Sequence, residues 1–228
     1  MNTKIKMALA AGLAAGVAGL ASAGPVITFT YTNLAGRYIY DLNTDTGNFH
    51  ANATATQQLQ TDGSVSLVPN PGAGTAVFDP GFVSRTIADF QIDISFFNRS
   101  GPTASGNGSF SAKDIFGNVL TGQLAGDWVM FGGAVFFNGA IRNAVLIPST
   151  YNPNFFTGEH GSFDMNPPMK LQPLDGSIVQ IFLAEPPGSA MNADFREIST
   201  GVAGQLVPTP ASMALMGLGG LIASRRRR

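Results

Sequence analysis

Asp41, Asn43 and Asp45, followed by Gly47, are the side chains best spaced in this sequence to hold a cation. Oxygen donors at alternate positions converge on calcium at the start of an EF-hand loop, where a glycine makes the sharp turn and a glutamate at the twelfth position closes the site. Here the glycine comes one place late and Asn52 stands at the twelfth position. The same letters suit a hairpin turn, because Asp and Asn bond their own backbone and Gly accepts positive φ. Two readings therefore start from this stretch, a turn and a calcium site.

The sequence holds two histidines, His50 and His160. His160 follows Glu159 between Gly158 and Gly161, with Asp164 close behind, a grouping that can move protons or ligate a metal. A solvated loop is the plainer account, and His50, beside Phe49, reads as a surface residue of a strand. Cysteine is absent and no Gly-x-Ser-x-Gly elbow occurs, so the chain has no thiol nucleophile and lacks the usual hydrolase serine motif. Paired carboxylates on facing strands would suit a secreted hydrolase of glycosides. Glu159, Glu185, Glu197 and the aspartates offer no preferred pair, and no catalytic residue is assigned. Aromatic faces pack on the apolar faces of sugars, which makes Trp128 and Tyr151 the candidate sugar contacts. Trp128 opens the most hydrophobic segment, where core packing competes with that role, whereas Tyr151 precedes Asn152-Pro153 in a loop.

The elements that must position these groups are strands. Charged residues make up 12% of the chain while Gly, Phe, Val, Ile and Thr are abundant, a balance that favours strands and tight turns. Phe90, Ile92, Ile94 and Phe96 alternate with Gln91, Asp93, Ser95 and Phe97, the clearest period of two in the sequence. Further strands are expected over 26–31, 37–40, 49–60, 65–68, 110–114, 119–126, 128–137, 143–147, 162–165, 178–184 and 194–200. Gly132-Gly133 is expected as a bulge or bend within 128–137, and Gly117 or Asn118 as the turn of a hairpin. Residues 69–81, rich in Pro and Gly, form the clearest loop. Many short strands with regular turn signals predict an all-β domain, an antiparallel barrel or sandwich.

Both ends of the chain call for export. Lys4 and Lys6, the apolar stretch Met7–Ala21 and the small-residue site Ala21-Ser22-Ala23 have the order of a Sec signal peptide, which places cleavage between Ala23 and Gly24. At the other end, Pro208 and Pro210 keep Val207–Pro210 extended. The uncharged run Ala211–Ser224 suits a short membrane helix, and Arg225, Arg226, Arg227 and Arg228 close the chain. A spanning helix takes about 20 apolar residues, so this one is expected to thin the bilayer locally or to draw the preceding residues into the interface, with the arginines on the cytoplasmic side. The domain organisation read from these signals is a signal peptide over 1–23, an all-β mature domain over 24–206 and a tail over 207–228. Six of the 13 Lys and Arg residues lie in the two end segments, which leaves seven basic against 14 acidic residues and a mature net charge of −7. An acidic domain lacks the basic surface that nucleic acid requires.

The tail resembles the PEP-CTERM sorting signal of exopolysaccharide-producing Gram-negative bacteria: a Pro-Glu-Pro signature, an apolar helix and terminal arginines. Val207-Pro208-Thr209-Pro210 occupies the signature, with Thr209 where the family has Glu. The resemblance implies passage through the Sec machinery, an intermediate held in the inner membrane by the tail helix, and processing by an exosortase-type enzyme. It also implies a final place at the cell surface or in the extracellular matrix beside exopolysaccharide. The expected function is that of a non-enzymatic surface or matrix protein, with a carbohydrate-binding module, with or without calcium at Asp41, Asn43 and Asp45, as the first alternative and a secreted hydrolase as the second. No cofactor other than that calcium is expected.

Overall fold

A segment that alternates large apolar and polar side chains buries one face and leaves the other to solvent. Across this chain so many segments do so that their buried faces must meet one another, and the computed structural model joins them into a closed antiparallel barrel. It describes residues 26–56, 58–68, 74–80, 90–131, 133–170, 172–174, 177–183 and 191–207. The elements in order are β1 (Val26–Asp41), β2 (Thr46–Asn52), β3 (Asp62–Val68), β4 (Thr75–Phe78), β5 (Phe90–Ser100) and β6 (Thr103–Lys113). They continue as β7 (Val119–Phe131), β8 (Ala134–Ile147), β9 (Phe155–Thr157), β10 (Ser162–Asp164), a short helix α1 (Asn166–Met169), β11 (Ser177–Leu183) and β12 (Phe195–Leu206).

Eight strands form the barrel wall in the order β1-β2-β5-β6-β7-β8-β11-β12, and β12 returns to β1. The closing ladder runs from Ile27 opposite Leu206 to Tyr38 opposite Phe195. Closure gives each wall strand two neighbours and removes the free edges that invite aggregation. β1 is long enough to serve three partners. β12 flanks most of its length, β3 pairs with its first half, and β2 pairs with its second half. Shifts of register after Tyr31 and after Gly36, with Asn33 at φ 56°, bend it between those partners; asparagine is among the residues that tolerate this left-handed conformation.

An eight-stranded barrel has an interior just wide enough for side chains to fill. Here aromatic rings fill it: Phe29 from β1 stacks on Phe110 from β6 at 4.9 Å, and Phe49 from β2 meets Trp128 from β7 edge-on at 5.4 Å. Glycines make the room. A Cβ at Gly204 would lie 2.2 Å from the Phe29 ring, at Gly63 2.3 Å from Tyr31, at Gly47 2.2 Å from Tyr38 and at Gly106 2.7 Å from the Trp128 indole nitrogen. Large and small residues thus complement each other inside the barrel. The β3–β4 hairpin leaves the wall and meets β9–β10 through paired main-chain bonds between Val77 and His160, with Phe78, Phe156 and Phe163 in ring contact. The β6–β7 turn joins them through Ile115 N–H to Thr157 O, so this group covers the end of the barrel at which β6 turns into β7.

Several boundaries differ from those read in the sequence. The apolar run 128–137 is a hairpin: Trp128–Phe131 ends β7, Ala134–Phe137 begins β8, and Gly133, at φ 86°, lies in the reversal. Both arms face the core, so their apolar residues merge in the sequence. The segments 26–31 and 37–40 are one bent strand, and of 49–60 the strand keeps its portion to Asn52. The loop over 69–81 contains β4, and the expected hairpin turn at Gly117 is present, with φ 88°. The signal peptide and the tail helix over 211–224 lie outside the described residues. Among the described residues no helix is long and apolar enough to cross a membrane.

Candidate functional site

Register places one residue from each of four neighbouring wall strands in a row on the outer face of the barrel: Arg37 opposite His50, His50 opposite Asp93, and Asp93 opposite Ser109. Their positions follow from the period of two, because Tyr38, Phe49, Ile94 and Phe110, adjacent in sequence, point inward to the core. His50 Nδ1 lies 2.6 Å from Asp93 Oδ1, and the Gln91 amide donates to Asp93 Oδ2 at 2.8 Å. A carboxylate against Nδ1 calls the imidazole proton to that nitrogen, where it donates, and leaves Nε2 turned away from Asp93. Arg37, Ile39, Asn48, His50, Asn107 and Ser109 are among the residues bordering a shallow groove of about 410 Å³, with Gly108 in its floor. A side chain at Gly108 would strike the main-chain oxygen of Asp93, at 1.9 Å.

A second groove, of about 380 Å³, runs on the outer wall across β8, β11, β12 and β1. Phe136 and Phe182, 37% and 45% exposed, stand on facing positions of β8 and β11 with ring centroids 5.3 Å apart. The Gln180 amide donates to Asn138 Oδ1 beside them at 3.2 Å, and Thr30 and Thr32 complete the polar margin. Gly201, opposite Phe182 on β12, leaves open space, since a Cβ there would meet nothing within 4 Å. The lining carries no ionisable group other than Tyr31, whose side chain is buried.

The candidate calcium residues form the β1–β2 turn. Asp41 accepts the Asn43 N–H at 2.9 Å, a bond that holds its carboxyl below the usual carboxylate range. Asp45, at φ 52°, accepts the Tyr40 hydroxyl at 2.8 Å and lies 3.5 Å from an Arg99 guanidinium nitrogen. The bond to Asp45 pushes the Tyr40 hydroxyl above its ordinary range. Both acidic residues are therefore engaged within the turn and by β5. Among the described residues no group of three or more Asp, Glu, His or Cys is placed to hold a metal.

Trp128 has no exposed surface. Its ring packs against Phe49 and Phe137, and its indole N–H donates to Ser95 O at 3.0 Å. Of the two roles open to it in the sequence, core packing is the one this geometry serves, and its faces are closed to a sugar. Tyr151, 87% exposed, lies in the loop after β8, at the opposite end of the barrel from the Trp128 side of β7. The two do not form one platform. His160 pairs through Nε2 with Asp79 Oδ1 at 2.8 Å rather than with its sequence neighbour Glu159, whose Oε2 accepts the Asp79 N–H at 3.3 Å. Val207 follows β12 directly, while Ala23, Gly24, Pro208, Thr209, Pro210 and Arg225–Arg228 lie outside the described residues.

No family model, curated protein or solved structure matches this chain. The reading of its surface rests on its own residues. Phe136 and Phe182 escape sequence reasoning because each belongs to an apolar run that looks wholly buried. The His50–Asp93 pair escapes it because its members are 43 residues apart. One usable signal was present: Asp93 and Gln91 occupy the polar phase of the clearest alternating strand, which marks them as outward-facing.

A buried polar clamp supports the end of the barrel that carries Tyr151. Asp114 is 2% exposed and Asn118 is fully buried. Asp114 accepts the N–H groups of Phe116, Asn118 and Thr157 and the Asn118 side-chain amide, at 2.7–2.9 Å. Asn118 in turn donates to Asn152 O and Phe155 O and accepts from Ser149 N–H. Each buried polar group of the turn thereby gains the partners that burial demands.

Proposed function

We propose that this chain is an exported, non-enzymatic surface or matrix protein whose barrel associates with exopolysaccharide through its outer wall. The observation that carries the reading is the Phe136–Phe182 pair with its neighbouring amides. Two large aromatic rings left in solvent on a barrel wall have lost the benefit of burial, and they regain it against the apolar face of a sugar ring. Asn138, Gln180, Thr30 and Thr32 supply the hydrogen bonds that sugar hydroxyls need, and the neutral lining suits an uncharged saccharide. Rings filling the barrel interior support the outer wall as the place of contact. The signal-peptide pattern and the PEP-CTERM-like tail support delivery of the domain to the surface, through the Sec machinery, the inner membrane and an exosortase-type enzyme.

Binding of the full chain to the exopolysaccharide of its own host tests the proposal. Saturable binding that Phe136→Ser and Phe182→Ser together weaken about tenfold or more is expected, in line with one to two aromatic contacts. Absence of binding, or binding that the double variant leaves intact, would remove the lectin-like reading and leave a structural surface protein that uses protein partners. Binding in calcium and in chelator separates the calcium-dependent form, and its loss in chelator would direct attention to Asp41, Asn43 and Asp45.

A further inference from the structure

The groove lined by Arg37 and His50 brings a guanidinium and an imidazole together on the outer wall, with the neutral Asn48, Asn107 and Ser109 around them. The Arg37 guanidinium makes no hydrogen bond or ion pair among the described residues, although the mature domain carries twice as many acidic as basic side chains. Asp93, the acidic group of the groove, has one oxygen against His50 Nδ1 and the other against the Gln91 amide. It orients the imidazole, and its charge, half exposed in the groove, is opposed by the Arg37 cation. Ser95 Oγ is also occupied, donating to Asn107 O and accepting Asn107 N–H. The groups left to meet a ligand are the Arg37 guanidinium, His50 Nε2, the Asn48 and Asn107 amides and the Ser109 hydroxyl, with exposed Ile39 at one margin.

We infer that this groove is an oxyanion site in which Arg37 and His50 grip the anion and the amides and Ser109 take hydroxyls around it. A guanidinium fork matches a planar or tetrahedral oxyanion. An imidazole backed by a carboxylate on its far nitrogen is held in place and gains a second donor on protonation. The carboxylate of an acidic sugar and a free inorganic oxyanion share this chemistry. The charged groups around His50 are Arg37 on β1 and Asp93 on β5; the groove side of β6 contributes the neutral Asn107 and Ser109, and beyond Arg37 the next strand, β12, carries exposed Arg196 and Glu197. Anion binding therefore favours the imidazolium, and affinity rises as the pH falls. The site lies on a different part of the wall from Phe136 and Phe182 and stands independently of the proposed function.

The test titrates the full chain with sodium sulfate, trigalacturonate and maltotriose, following the imidazole resonances of His50 and the Nε resonance of Arg37 by NMR. Trigalacturonate is expected to saturate both signals, to weaken with added salt, and to bind about threefold or more tightly at about pH 5.5 than at about pH 7.5. Arg37→Ala should cost about tenfold in affinity, and His50→Gln should abolish the pH dependence while leaving the barrel folded. Saturation by sulfate without trigalacturonate supports the site and assigns it to a free ion. Failure of both anions to saturate, equal binding of maltotriose, or an unchanged affinity in Arg37→Ala overturns the inference. Phe136→Ser serves as the control that affects the neutral face alone.

Discussion

Replacing Asp114 by alanine tests whether the β6–β7 turn is held by its buried carboxylate. Four donors lose their acceptor at once: the main-chain N–H groups of Phe116, Asn118 and Thr157 and the Asn118 side chain, at 2.9, 2.7, 2.9 and 2.7 Å. Hydrogen bonds to a charged group contribute about 1.5–3 kcal/mol each, though not additively. Removing the carboxylate also removes the cost of burying it, which offsets several kcal/mol. Asn118 is fully buried, so water reaches its stranded groups only if the loop over 148–157 lifts. The expected net loss is about 3 kcal/mol, which in a domain of this size lowers Tm by roughly 6–12 °C. Trp128 is the single tryptophan and lies inside the barrel, so its fluorescence follows urea unfolding of the whole domain. Proteolysis should locate the weakness at the 148–157 loop before the barrel opens. A loss below about 1 kcal/mol at unchanged m value would refute the reasoning, since the clamp would then be a consequence of folding and not a support for it.

Three further outcomes can be measured. Gly204→Ala drives a methyl group into the Phe29 ring, where the gap is 2.2 Å, and should destabilise by about 1–3 kcal/mol in urea, with Phe29→Leu in the same chain recovering part of the loss. Burial pushes the Tyr31 and Tyr38 hydroxyls far above the usual range, so they keep their protons when folded and lose them on unfolding in alkali. Stability should be unaffected by them below about pH 10 and then fall by about 2.7 kcal/mol per pH unit for the pair, read by urea titration of wild type against Tyr38→Phe, whose slope should halve. Exchanging Arg225–Arg228 for neutral residues should impair retention or processing of the tail in the native host, and unaltered trafficking would count against the sorting assignment.

Much of the architecture is legible because its signals are local. Phe90 to Phe97 announces a half-buried strand, Gly117 marks a turn, and the scarcity of charge with the abundance of Gly, Thr and Phe argues for strands throughout. The orders of charge, apolar run and small residues at the two ends are contiguous as well, and they carry the export proposal. Asp41–Gly47 shows the limit of such reading. The same oxygen donors describe a turn or a cation site, and the partners that engage Asp45 include Arg99, on a strand that follows much later in the chain.

What the tertiary structure decided depends on which strand lies beside which. The alternation in β1 puts Ile27, Phe29 and Tyr31 on one face, but the irregularity between Tyr31 and Leu34 that also turns Tyr38 inward, and the closing of the wall by Phe195 and Leu206 near the far end of the domain, appear only in the pairing. Barrel and sandwich share the same local pattern; closure depends on stagger and on the glycines that let Phe29, Tyr31, Tyr38 and Trp128 pack across the interior. A run such as Trp128–Phe137 cannot show that it reverses on itself, because both arms bury the same kind of side chain. Nor can the sequence separate Phe137, buried at the core, from Phe136, one residue away on the wall, until pairing sets the phase. A shift of one residue would exchange them. Composition and periodicity determined that this chain makes a β domain; register alone determined which aromatic, arginine and histidine side chains that domain shows to the outside.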